Sequence, residues 1–108
     1  MKAQPIRTID QLSSKEIEDC SCSDLEKYFI DVTSIKEIAK RSTIKETGYV
    51  DILLFSERLA DSRVYSEAIR TDKEPNPDSN DFKDSWELDI FWGEIIAKNI
   101  NKKLSNNK

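Results

Sequence analysis

Residues 86–104 constrain the chain more than any other stretch. Trp86, Ile90, Gly93, Ala97, Ile100 and Leu104 are spaced 4, 3, 4, 3, 4. That spacing is the a/d seam of a helix. Leu88, Trp92, Ile95 and Ile96 widen the seam and leave a narrow polar face of Glu87, Glu94, Lys98 and Asn101. A helix this apolar must be covered on two sides, by the rest of its domain or by a partner. Acids open it (Asp84, Glu87, Asp89) and lysines close it (Lys98, Lys102, Lys103), an order that suits the helix dipole at both ends. The residues after it, 105–108, are expected to fray.

The preceding stretch, 71–84, reads as an acidic loop. Pro75 and Pro77 exclude helix there, and Asn76, Asp78, Ser79, Asn80 and Asp81 are turn formers. The first half of the chain carries helix starts. Ser/Thr-x-x-Asp/Glu, the capping-box pattern, occurs at Ser13/Glu16, Ser21/Asp24, Ser23/Glu26, Ser34/Glu37, Thr43/Glu46 and Thr71/Glu74. That is about twice what composition alone would give. Short helices are expected near 14–20, 24–32 and 34–41. Leu25, Tyr28, Phe29 and Val32 repeat at i, i+3, i+4, i+7, one helical face.

Residues 49–70 are ambiguous. Their apolar positions spread around a helical wheel instead of forming one stripe. A buried central helix would produce that, and so would a hairpin of two buried strands. The strong helix formers in Ser56–Ala60 and Ser66–Arg70 favour helix. The expected fold is an all-α single domain of 108 residues, a bundle of four to five helices with a long C-terminal helix. The alternative is α+β with a hairpin at 49–70.

Composition narrows the chemistry. The chain has no His, two Gly and two Cys. Without His there is no Ser-His-Asp or Cys-His catalysis and no His-ligated metal. Gly48 and Gly93 stand alone, so no phosphate-binding glycine loop exists. The chain therefore reads as non-enzymatic, with no cofactor. Cys20 and Cys22 lack further Cys or His to complete a metal site, and read as two small reduced side chains between helices. No apolar run approaches the roughly 18 residues of a membrane helix, and no signal peptide is visible. A cytoplasmic location without a membrane partner is the expectation.

Charge is unevenly placed. The net charge is −4. Along the chain it is −5 over 9–31, −6 over 72–94 and +4 over 95–108. In the second acidic block Phe82, Trp86, Phe91 and Trp92 interleave with Asp81, Asp84, Glu87 and Asp89. Aromatic anchors ringed by acids select a basic partner surface. The candidate partner-binding residues are Asp78, Asp81, Phe82, Asp84, Trp86, Glu87 and Asp89.

The functional expectation is a protein acting by occlusion. It would be a small cytoplasmic inhibitor or immunity-type protein that neutralises a basic partner, such as a nuclease toxin or a host defence protein. The alternative is a regulatory or assembly subunit, including a homodimer through the 86–104 helix. A third reading is a calcium-binding helix-loop-helix. Asn76, Asp78, Asn80, Asp84 and Glu87 fall at positions 1, 3, 5, 9 and 12 of a calcium loop. Asp81 occupies the position where glycine makes the turn, and Pro75 would break the incoming helix. No metal site is assigned on that spacing. Nucleic acid is disfavoured, because a helix-turn-helix at 23–46 would present Asp24, Glu26, Asp31, Glu37 and Glu46 to phosphates.

Overall fold

The computed structural model describes residues 5–20, 31–73 and 83–105. In chain order they form a 3-10 turn (Ile9–Gln11), α1 (Ser14–Cys20), α2 (Val32–Arg41), α3 (Ile52–Thr71) and α4 (Lys83–Ser105). This is the expected all-α bundle with a long C-terminal helix. The helix expected at 24–32 falls mostly on residues outside the described set.

Local chemistry sets the helix starts. α1 begins with a reciprocal capping box. The Glu16 amide donates to Ser13 Oγ (3.1 Å), and the Ser13 amide donates to Glu16 Oε1 (3.0 Å). The same carboxylate takes Arg7 as a fork, at 2.5 and 2.6 Å. The Arg7 guanidinium and the Ser13 amide together hold the Glu16 carboxyl down to about 2. α2 starts two residues earlier than 34. Its cap is Asp31, whose Oδ1 accepts the Ser34 amide at 2.7 Å. A carboxylate at this position satisfies a free amide as well as Ser34 would, and it adds charge at the positive end of the dipole. Thr43 does not start a helix. It pairs with Val50 in an antiparallel bridge closed by Gly48 at φ +78. Glycine fits that left-handed position at no steric cost.

The 49–70 ambiguity resolves to helix from Ile52 onward, with Val50 in the bridge that leads into it. Asp51 caps α3, accepting the Leu54 amide at 3.1 Å. The absent stripe has a structural cause. Phe55 and Leu59 are buried in the main core, while Ser56, Ala60, Val64 and Ala68 form an i+4 ridge of small buried residues. An i+4 ridge drifts around the helix. The buried face of α3 therefore turns from the main core at its start toward Trp86 of α4 at its end.

α3 and α4 run antiparallel. Tyr49 meets Ser105, Val50 meets Asn101, Ser56 meets Gly93 and Arg63 meets Asp89. At the Ser56 crossing the helices nearly touch. A Cβ on Gly93 would lie 2.6 Å from Ser56 Cα. The 86–104 seam is thus largely spent inside the molecule: Ala97, Ile100 and Leu104 are fully buried. They join Ile9, Leu12, Ile17, Ile35, Ile38, Val50 and Phe55 in one core. Asn101 binds both backbone groups of Val50, accepting its amide at 2.8 Å and donating to its carbonyl at 3.1 Å. The Leu104 carbonyl accepts the Ile6 and Arg7 amides (3.0 and 3.2 Å).

Candidate functional site

The acidic, aromatic half of α4 is the candidate surface. Asp78, Asp81 and Phe82 lie outside the described residues, and Asp84 stands in the first turn of α4. Three candidates can be placed side chain by side chain, and they face different ways.

Trp86 is half-buried. Its ring packs on Val64 and Ala68, and its Nε1 donates to Asp61 Oδ1 at 2.8 Å. Both uses are internal to the α3–α4 pair. Asp89 points inward as well and is 4% exposed. Its Oδ2 lies 3.2 Å from Arg63 Nε, and Arg63 Nη1 lies 2.8 Å from Glu67. Arg63 thus pairs with one carboxylate on its own helix and one on α4. Burial pushes the Asp89 carboxyl up to about 6, against the pull of Arg63. A carboxylate in this position is part of the helix packing and not of an outer surface. Glu87 alone of the three faces solvent.

What faces solvent beside Glu87 is apolar. Leu88 is 62% exposed and Phe91 59%. Phe91 stands edge-on to Trp92, with ring centroids 6.4 Å apart. Leu88 reads from spacing as an extension of the buried seam, yet it lies on the opposite side of α4. The signal that finds this face is a separate 3, 4, 3, 4 spacing: Leu88, Phe91, Ile95, Lys98 and Lys102. Two seams run along one helix. One closes the core and the other faces outward.

The far half of that outward face is basic. Lys98 and Lys102 are exposed. Beside them is an open recess of about 620 Å³ lined by Tyr49, Ile52, Lys98, Asn101, Lys102 and Ser105. The Tyr49 and Ser105 hydroxyls are 2.6 Å apart at its edge.

Among the described residues no three Asp, Glu or Cys side chains gather as a metal cage. Of the calcium-loop positions, Asn76, Asp78 and Asn80 lie outside the described set. Cys20 is buried at the end of α1. Its carbonyl accepts Asn99 Nδ2 at 2.8 Å, and Cys22 lies outside the described residues. Among the described residues no helix is long and apolar enough to cross a membrane. No protein family, characterised protein or solved structure matches the chain.

Proposed function

We propose that this chain is a non-enzymatic binding protein whose outward α4 face docks a protein with a basic surface. One observation carries the reading: Leu88 and Phe91 stand more than half exposed beside Glu87, within a stretch of net charge −6. Large apolar side chains that neighbour one another at a surface mark interaction sites more often than chance exposure does. An aromatic anchor supplies buried area, and the surrounding acids steer and select a Lys/Arg-rich partner.

The mechanism is steric and electrostatic. Phe91 and Leu88 would fill an apolar depression on the partner. Glu87 and Glu94 would pair with its cations at the rim. Covering a basic groove in this way blocks whatever the groove binds. A small cytoplasmic inhibitor or immunity-type protein, set against a nuclease toxin or a defence protein, works on that principle. Trp86 and Asp89 have a supporting role in this reading, since they fix the helix that presents the face.

The test compares capture of a basic partner from the source cells by the wild type, Phe91→Ala and Glu87→Lys. Loss of a central anchor weakens binding by about tenfold or more. The charge reversal should slow association, and added salt should do the same to the wild type. Undiminished capture by both variants, with helix content intact, removes this face as the binding site.

A further inference from the structure

The outward seam of α4 carries its own complement. Leu88, Phe91, Lys98 and Lys102 are exposed and Ile95 is half-buried. The first half of the seam is apolar and flanked by Glu87 and Glu94. The second half is basic and adjoins the recess that Tyr49 and Ile52 help to line. The sign of the charge changes along the helix, from Glu87 and Glu94 beside the first half to Lys98, Lys102 and Lys103 in the second, with Asp89 turned inward.

We infer that α4 pairs with α4 of a second copy of the chain, antiparallel, about a two-fold axis near Ile95. This assigns an occupant to the outer face and rests on the reading above that the face is a contact surface. Leu88 and Lys102 are each seven residues from Ile95, so the axis sets them opposite one another. Phe91 and Lys98, four and three residues away, also become neighbours. Phe91 then receives Lys98 of the second copy as a cation over or beside its ring. Leu88 enters the recess between Lys98 and Lys102 of the second copy, against Tyr49 and Ile52. Because the interface is two-fold, each contact occurs twice.

Charge selects this orientation. A parallel, in-register pair would set lysine on lysine and glutamate on glutamate, which is repulsive at close range. The antiparallel pair sets Glu87 against Lys102 and Lys103 of the second copy, and Lys98 of the second copy reaches Glu94 beside the axis. The buried seam plays no part, since Ala97, Ile100 and Leu104 are already enclosed within one chain. In this arrangement Lys98 and Lys102 of the second copy occupy the place that the cations of a basic partner would take. Self-pairing and partner binding therefore compete for one face.

Sedimentation equilibrium of the full chain tests the pairing, in a concentration series at low and high salt. Mass should double as concentration rises, across a range of about 1–100 µM for a modest interface. High salt should weaken the association. Two charge-reversed variants sharpen the test, Lys98→Glu with Lys102→Glu, and Glu87→Lys with Glu94→Lys. Each should be monomeric where the wild type is dimeric, and an equal mixture of the two should recover the dimer.

A wild type that stays monomeric throughout overturns the inference. So does a dimer that survives either charge reversal, or a mixture that fails to associate. Helix content and melting temperature check that the variants fold. If a reversed pair does not, Phe91→Ala decides, with a dimer at least about tenfold weaker expected and an unchanged dimer overturning the pairing. A monomeric wild type that loses a basic partner on Phe91→Ala would end the self-pairing and leave the proposed function standing. A dimer with no Phe91-dependent partner would do the reverse.

Discussion

The two ends of the α3–α4 pair are built on different terms. At the base, Phe55, Leu59, Ile96, Ile100 and Leu104 lie in an apolar core shared with the 3-10 turn, α1 and α2. At the tip, a small cluster of Val64, Ala68 and the half-buried Trp86 shares its interface with Arg63 and Asp89. The same two helices thus pass from apolar packing to ion pairing within a few turns. Apolar burial accumulates with area, whereas a buried ion pair must first offset the loss of hydration at both charges. The base should therefore hold the fold together, and the tip should open first.

The largest test of that contrast is Phe55→Ala. Removing a fully buried ring from the base should cost about 3–5 kcal/mol, read as a lower denaturant midpoint for the whole chain. A loss of under about 1 kcal/mol would mean that the base is not the anchor.

The second test uses pH at the tip. Asp89 titrates higher in the fold, at about 6, than its ordinary 3.8. The folded state therefore binds this proton more tightly than the unfolded chain does. Stability should rise as pH falls through 6 toward 4, and should be lost again as pH rises through 6. The full span is at most about 3 kcal/mol. Glu16 works the other way. Its carboxyl is held at about 2, so its contribution is present above its ordinary 4.5 and lost as pH falls toward 2. Stability should peak near the crossing, between about pH 4 and 5. Asp89→Asn should flatten the rise and leave the acid-side loss in place. A rise that persists in Asp89→Asn would place its source elsewhere.

The smallest expected effect is Trp86→Phe. It keeps most of the ring contact with Val64 and Ala68 and deletes the bond to Asp61, at a cost of about 1 kcal/mol. Hydrogen exchange should show the loss as faster opening of 61–70 and 83–90, with the base unchanged. Uniform acceleration across both ends would erase the distinction drawn between them.

Much of the fold was legible in residue spacing. Ser13 and Glu16 announced α1 through their capping box, and the 4, 3, 4, 3, 4 seam announced α4. Asp31 took the α2 cap because several residue types near a helix start can serve its free amides, and spacing alone does not rank them. The 49–70 segment resisted because its buried face drifts along the small-residue ridge, and a wheel averages that drift to nothing. The candidate site was less legible for a related reason. Spacing tells which residues share a face of α4 but not which face meets the core. Leu88 and Asp89 are neighbours in sequence, and packing sent the apolar one out and the charged one in. Asp89 could turn inward because Arg63, on another helix, was there to meet it. That pairing depends on the tertiary arrangement and leaves no trace in local composition.

The carbonyl of Leu104, held by the amides of Ile6 and Arg7, has a consequence for how the fold comes into being. The core is completed by α4, which is synthesised after α1, α2 and α3. While the ribosome is still adding α4, the apolar faces of the three earlier helices have no lid, and Ile6 and Arg7 have no carbonyl to grip. The core therefore closes only once α4 joins it, and until then the apolar faces of the earlier helices lie open.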